Sequence, residues 1–354
     1  MSDRYIAAGL MSGTSLDGLD IAICRFEKKD RWLFEILAAK TFEYTPEWKV
    51  KLLHAHQTSG HELALMHTEL GSLQGKLTHD FISESKIRPD FIASHGHTIF
   101  HQPEKRMTLQ IGSAAHMAAE TQLPVIADFR MADVALGGQG APLVPIGDLL
   151  LFDEYAICLN LGGIANISVK NHKRSMVAYD VCPCNMVLND LAKTFNLEYD
   201  RDGLIASSGR IDEALLNDLN SLTFYNEHPP KSLGKEFYEM EVKPLLKNHS
   251  LSAEDSMRTF VEHIAIQLGR STEEYKMDKM LITGGGALNK FLIERISAHC
   301  KVQIIVPELA LIQFKEALIF GLLGVLRMRD EINCLSSVTG ASRDSIGGAI
   351  YSPF

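Results

Sequence analysis

Short apolar runs bounded by Gly, Ser and Asp open the chain. Residues 4–11 (RYIAAGLM) and 19–27 (LDIAICRFE) flank SGTSLDG, and residues 33–45 (LFEILAAKTFEYT) follow. This pattern predicts two strands joined by a glycine hairpin, with a third strand after them. Helical spacing follows over 47–57 and 62–85. Then come a buried strand at 89–96 (PDFIASHG), a short edge segment at 108–112, a helix at 114–122 and a strand at 124–129. At 155–170 (YAICLNLGGIANISVK) the opening pattern restarts as strand, glycine turn, strand. A third strand at 176–183, a helix at 185–195 and a long amphipathic helix at 256–275 are next. Residues 279–289 (KMLITGGGALN) run a strand into three glycines. A helix at 290–300, a strand at 303–307 and a helix at 313–328 close the pattern.

The chain therefore reads as two α/β units in tandem, each opening with a strand–glycine hairpin–strand. The seam is expected near residues 128–145, where ADVALGGQGAPLVP reads as irregular structure. The expected domains are residues 1–128 and 129–354, with 337–354 packing back onto the first. A length of 354 residues suits two domains. With 46% apolar and 22% charged residues the balance is that of a soluble globular protein. A net charge of −9 argues against general binding to nucleic acid or an anionic membrane, but leaves room for one anionic small molecule in a local pocket. The N-terminus shows no signal-peptide pattern, and the apolar run ALIFGLLGVLRMR reads as too short to span a bilayer. The six cysteines are scattered apart from Cys182 and Cys184, so the expectation is a reduced, cytoplasmic protein.

Three glycine turns carry the candidate chemistry, each at the end of an apolar strand: residues 13–18, Gly162 with Gly163, and Gly284, Gly285 and Gly286. Backbone N–H groups in such turns converge on anions, and small residues let phosphate oxygens approach. Ser12, Thr14 and Ser15 add hydroxyl donors. Asp17 and Asp20 can hold Mg2+ through water, a common way of binding that ion. One such turn alone is an ordinary hairpin, but three together suit the phosphates and adenosine end of a nucleotide. None of the three fits a P-loop or a dinucleotide fingerprint. Cys182 and Cys184, one proline apart, lack the spacing of a zinc or redox pair and read as buried inert thiols. His95, His97 and His101 include an H-x-x-x-H spacing, but HTIFH follows a strand and precedes Gln-Pro, so an extended segment is expected there rather than a helical metal pair. The remaining histidines read as solvated helix positions.

These segments resemble the anhydro-N-acetylmuramic acid kinase family over nearly the whole chain. GLMSGTSLDGLDIA is similar to that family's ATP-binding signature, which includes Gly13, Thr14, Ser15, Leu16, Asp17, Gly18, Leu19 and Asp20. IASHGHTIFH, VIADFRMADVALGGQGAPLVP, LNLGGIANIS, YDRDG, PKSLGKE, ITGGGALN and SVTGASRDSIGGAIY follow in the family's order. The resemblance implies an actin-like ATPase fold: two ribonuclease-H-like domains with an ATP/sugar cleft between them. It implies ATP and Mg2+ as cofactors, an amino sugar as substrate and a homodimer. The reaction it implies phosphorylates O6 of 1,6-anhydro-N-acetylmuramic acid while water opens the anhydro ring, in cell-wall recycling. Asp180 then matches the base that deprotonates water, a role open to a carboxylate ionised at neutral pH. Arg130 and Asp133 match substrate-side residues, and a guanidinium fork suits the lactyl carboxylate of a muramic acid. Glu316 matches a glutamate near the sugar and reads as lying at a helix start. His97 and Asn185 are also carried over to the sugar side.

The chain departs from the family pattern around the sugar. The glycines flanking a proline become Cys182 and Cys184, GHT replaces the commoner GQT at 96–98, and VPIGD lacks an aromatic and a histidine. Added Cβ atoms at 182 and 184 require those positions to avoid left-handed backbone. Two alternatives stay open on the sequence: a kinase for a related amino sugar, and a nucleotide-gated sugar sensor without turnover.

Overall fold

The opening strands pair as expected: β1 (Arg4–Ser12) runs antiparallel to β2 (Gly18–Lys28), and β2 to β3 (Trp32–Glu43). The computed structural model describes residues 3–13, 16–170, 176–229, 231–273 and 279–353. Thr14 and Ser15 of the glycine hairpin lie outside the described residues. Helix α1 (Gly60–Ser85) begins at a reciprocal cap: Glu62 N donates to Ser59 Oγ at 3.2 Å, and Ser59 N donates to Glu62 Oε2 at 3.0 Å. The helix carries the chain across to β4 (Phe91–Gln102), parallel to β1. Next come β5 (Met107–Ile111), antiparallel to β4, helix α2 (Ala114–Thr121) and β6 (Val125–Ala127), parallel to β4. Two short helices follow, α3 (Met131–Ala135) and α4 (Val144–Leu151).

The second half repeats the plan. β7 (Ile157–Leu161), β8 (Ile164–Lys170) and β9 (Met176–Pro183) form an antiparallel meander. After α5 (Asn185–Ala192) and α6 (Ala253–Glu273), β10 (Lys279–Thr283) joins parallel to β7. Helix α7 (Lys290–His299) leads to β11 (Gln303–Ile305), parallel to β10. Helix α8 (Leu309–Met328) follows, and β12 (Ala349–Tyr351) pairs antiparallel with β6.

The sheet orders are β12-β6-β4-β1-β2-β3, with β5 on β4, and β11-β10-β7-β8-β9. Stripped of β5 and β12, each sheet places its first five strands in the order 3-2-1-4-5, the ribonuclease-H-like arrangement. The internal duplication read from the hydrophobic pattern is therefore real at the level of topology.

The compact units are Met1–Leu151 with Phe314–Phe354, and Phe152–Gln313. The boundary thus falls after Leu151 rather than after residue 128, and the return to the first unit starts at Phe314 rather than at 337. The physical reason is a pair of buried carboxylates: Asp148 of α4 pairs with Lys315 of α8 at 2.7 Å, and Asp133 holds the C-terminal segment. Asp133 is 1% exposed; Gly140 N donates to its Oδ2 at 2.7 Å, and Thr339 Oγ1 donates to its Oδ1 at 2.7 Å. These bonds tie the Gly- and Pro-rich stretch, part of which is helical, to the C-terminal segment. Helix α8 also corrects two expectations. At 20 residues it is long and apolar enough to cross a membrane, although 78% of its apolar window is buried in protein. Glu316 lies two turns inside it, beyond the reach of the N-terminal dipole. A third correction is His263 on α6, expected on a solvated face. It is fully buried between Asn220 Oδ1 and the Tyr225 hydroxyl.

In the first unit the core joins Ala8, Leu10, Ile21 and Ile23 of the sheet to Met66 and Leu70 of α1 and Met117 of α2. The other face of β1 meets α8 backbone to backbone: a Cβ on Gly9 would collide with the Ala317 carbonyl oxygen and stand 2.7 Å from Gly321 N. In the second unit Leu159, Leu161 and Ile282 of the sheet pack with Phe260 and Ile264 of α6 and Leu292 of α7. Replacing Gly9 with Ala is expected to destabilise the first unit by about 2 kcal/mol or more, because α8 must move to admit the methyl group. Urea unfolding checks this, with Gly60→Ala as the control. A Cβ at Gly60 meets nothing within 4 Å, so that variant should match or slightly exceed the parent.

Candidate active site

The residues singled out in the sequence fall into two groups, one in each unit. In the first unit, Ser12 ends β1 where its pairing with β4 shifts register. The hairpin turns at Leu16, whose N–H donates to Gly13 O at 3.3 Å and whose φ is 62°. Asp17 is exposed, Leu19 belongs to the core, and Asp20 is half-buried with Thr41 Oγ1 donating to it. Burial and then the Asp17 charge raise the Asp20 carboxyl above its usual range, while the Thr41 bond opposes the rise. A divalent cation would relieve that repulsion, so the two carboxylates fit a water-mediated Mg2+ site. No cluster of three or more His, Cys, Asp or Glu suited to holding a metal directly occurs among the described residues.

Behind the hairpin runs a buried polar chain. Gln74 Nε2 donates to Tyr44 OH at 3.2 Å, Tyr44 OH donates to Ser12 Oγ at 2.9 Å, and Ser12 Oγ lies 2.9 Å from His97 Nδ1. The chain's direction makes Ser12 the donor to His97, so the ring carries its proton on Nε2. Burial pushes His97 down to about 4, which keeps it neutral. His97 is 2% exposed, so the structure places it behind the hairpin and not on an accessible surface. His97 and His101 lie on strand β4, as the extended reading expects, and His101 pairs with Thr108.

Arg130, His95 and Glu316 gather beside this chain. Arg130 Nε donates to His95 Nε2 at 3.0 Å and Nη1 donates to Gly140 O at 2.6 Å. Burial lowers Arg130 to about 10, against the pull of Glu316. Glu316 is exposed to solvent, yet surrounding protein raises its carboxyl; Asp20 adds to the rise, and Arg130 and Lys315 oppose it. Residues from the hairpin, from the ADFRMAD stretch and from α8 therefore feel one another's charge. Asp133, expected to touch substrate, has both carboxylate oxygens bonded internally and acts as a clasp. Sequence reading missed His95, except in a metal pattern, and missed Tyr44 and Gly140 altogether; no local signal marks them.

In the second unit Asn185 is the hub. Its Nδ2 donates to Leu161 O at 2.9 Å, and its backbone N–H donates to Gly162 O at 3.1 Å. Cys184 N and Met186 N both donate to Gly163 O. Gly284 has φ +82°, where a Cβ would stand 2.6 Å from Asn160 Oδ1 and 2.8 Å from Leu161 O. A Cβ on Gly286 would stand 3.2 Å from Asn185 Oδ1, and Gly285 faces the same amide. The Gly162–Gly163 turn, the start of α5 and the triple-glycine turn thus meet at Asn185.

Asp180 sits inside β9, beside a register shift against β8. The bulge leaves Val181 unpaired, while Asp180 keeps Asn166 as its partner. Its N–H donates to Lys231 O at 3.1 Å, and Leu233 N donates to its Oδ2 at 2.8 Å. Residues 231–233 thereby strap the aspartate. Burial raises the Asp180 carboxyl above its usual range, and the Leu233 bond opposes this. Cys182 and Cys184 are fully buried, and burial pushes both thiols up, Cys184 to about 12. They are protonated and inert, and neither adopts positive φ, as the replacement of glycine requires. A surface depression lined by Trp48, Lys51, Glu69 and His116 contains none of these residues.

The topology and the glycine turns define a two-unit α/β protein of the actin-like ATPase type. A family model described as anhydro-N-acetylmuramic acid kinase matches residues 3–353. The anhydro-N-acetylmuramic acid kinase of Vibrio vulnificus (strain CMCP6) is 34% identical over 373 residues, spanning 99% of this chain and all of its own length. That of Vibrio cholerae serotype O1 is 34% identical over 372 residues and spans the whole of both chains. That of Caldanaerobacter subterraneus subsp. tengcongensis is 34% identical over 388 residues, spanning 98% of this chain and 97% of its own. The chain belongs to the anhydro-N-acetylmuramic acid kinase family, and it is a kinase.

The buried neutral histidines set a pH dependence. His97 is held at about 4, while in the unfolded chain it titrates near 6.5. Below about pH 6.5 the unfolded chain takes up a proton that the native ring refuses, so stability is full above that pH and falls as pH drops toward 4. The loss is on the order of 3 kcal/mol for this ring, and His95, lowered further by burial, adds in the same direction. Urea unfolding from pH 7 to 4 should show the fall, with a shallower slope in His97→Gln.

Proposed function

We propose that the protein phosphorylates 1,6-anhydro-N-acetylmuramic acid at O6 with ATP while water opens the anhydro bridge, giving N-acetylmuramic acid 6-phosphate for reuse of cell-wall sugar. One observation carries the reading. Asp180 is half-buried on β9 beside a bulge, with Oδ2 tied by Leu233 N–H and Oδ1 bonded to nothing among the described residues. One oxygen is fixed, and the other is free to accept a proton from water. Its raised proton affinity makes it a stronger base than an ordinary aspartate.

The water oxygen bonds to the anomeric carbon and passes one proton to Asp180. The bond from that carbon to O6 breaks, O6 takes the γ-phosphoryl group, and ADP leaves. Residues 13–20 supply backbone N–H groups to the phosphates. Asp17 and Asp20 are the carboxylates that would hold Mg2+, which when bound offsets phosphate charge. Gly162, Gly163, Gly284, Gly285 and Gly286, gathered at Asn185, are assigned to the nucleotide end, and Asn185 itself to the sugar. Arg130 takes the lactyl carboxylate and Glu316 a sugar hydroxyl. His97 supports the hairpin through Ser12, and Asp133 supports Arg130. We assign the enzyme to the cytoplasm, in line with six free cysteines, and expect a homodimer from its family.

Asp180→Asn should lose about 100- to 10,000-fold in kcat while binding ATP normally. In 18O-water the parent product should carry label at the anomeric oxygen, trapped before exchange, and phosphate at O6. Near-normal turnover in a folded Asp180→Asn variant overturns the assignment, as does a phosphorylated product that is still anhydro. Separately, Gly13→Val should weaken ATP binding sharply, by calorimetry, with the fold intact by circular dichroism. Unchanged affinity removes the hairpin from the nucleotide site.

A further inference from the structure

Arg130 is aimed by its neighbours on one side only. Nε donates to His95 Nε2 at 3.0 Å, and Nη1 donates to Gly140 O at 2.6 Å. The acceptor nitrogen is available because His95 Nδ1 lies 3.0 Å from Gly96 O, and a carbonyl can only accept. The ring therefore exists as its Nδ1–H tautomer, with a lone pair on Nε2. Phe320 packs against the ring at a centroid distance of 4.9 Å. Gly140 is fixed in turn, since its N–H donates to Asp133 Oδ2. Asp133 Oδ1 accepts from Thr339 and from the Cys334 thiol. The remaining nitrogen, Nη2, has no partner among the described residues and is not a buried orphan.

Both groups that aim the guanidinium are uncharged: a neutral imidazole and a peptide carbonyl. Glu316 influences Arg130 through its charge but forms no ion pair with it among the described residues. A carboxylate in the place of His95 would aim the fork equally well but cancel its charge. A neutral acceptor fixes direction and leaves the full positive charge for a ligand.

We infer that His95, backed by the Asp133–Gly140 turn, is a positioning and specificity residue that presents the free edge of Arg130, charge intact, to the carboxylate of the sugar substrate. This rests on the reading of the protein as a kinase of a carboxylate-bearing anhydro sugar. Preorganising a fork in this way saves the ordering cost of a long side chain on binding.

Three variants separate aim from charge. His95→Leu removes the acceptor, His95→Asp keeps an acceptor but adds a negative charge, and His95→Gln keeps a neutral acceptor. Steady-state kinetics are measured with 1,6-anhydro-N-acetylmuramic acid and with 1,6-anhydro-N-acetylglucosamine, which lacks the lactyl carboxylate. KM for the carboxylated sugar should rise about tenfold or more in the Leu and Asp variants, with a smaller change in kcat. His95→Gln should restore it, and KM for ATP and for the neutral sugar should stay within about twofold. An unchanged KM in folded His95→Leu, or equal losses on both sugars, overturns the inference. A second readout needs no turnover. In the ligand-free protein, nitrogen NMR should detect scalar coupling between Arg130 Nε and His95 Nε2 across their hydrogen bond, lost in His95→Leu. Absence of that coupling in the parent also overturns the inference. Coupling in a parent that fails to phosphorylate the anhydro sugar supports the His95–Arg130 arrangement and sinks only the functional reading.

Discussion

The contact between β1 and α8 at Gly9 is the constraint on which the first unit depends. The strand and helix backbones approach so closely that the Ala317 carbonyl fills the space a side chain would need. That approach fixes the height and rotation of α8. Glu316 is the preceding residue on the helix, and Phe320 lies one turn on, packed against both His95 and Phe129. His95 then bonds Arg130. A single glycine thus governs the acid, the aromatic support and the guanidinium together. Rigid elements hold them, so their aim is set before any ligand arrives.

Buried polar groups in this unit form directed chains whose ends are neutral histidines. One chain runs Gln74, Tyr44, Ser12, His97; the other runs from Asp133 through Gly140 and Arg130 to His95. In the first, each hydroxyl bond sets the direction of the next; in the second, Arg130 can only donate, and each imidazole is left one tautomer. Burial, which disfavours imidazolium, keeps both rings in that state. The same burial that would make an unpaired polar group costly makes these chains specific.

The second unit solves a different problem. Its glycine turns must come close enough to share one amide, and Asn185 serves all three segments from the first turn of α5. The catalytic candidate Asp180 stands five residues earlier, paired with Asn166 next to the bulge at Val181. Its second oxygen is held by a backbone N–H, so the side chain at Leu233 is not what aims it.

The sequence by itself determined the duplicated strand plan, the glycine turns and the family, because these rest on local apolar periodicity, turn chemistry and long ordered motifs. Asp180, Arg130 and Asn185 were picked out as candidates on the same long motifs. Tertiary structure alone decided the boundary at Leu151, because Asp148 pairs with Lys315, a separation no periodicity reports. It moved Asp133 from ligand contact to clasp, put His97 behind the hairpin and buried His263, because burial is a property of packing and not of residue type. It also decided the length of α8, where a buried run continues a helix whose start the apolar pattern placed four residues late. The tautomers of His95 and His97 lie furthest from the sequence, since each follows from what its other nitrogen meets in the fold.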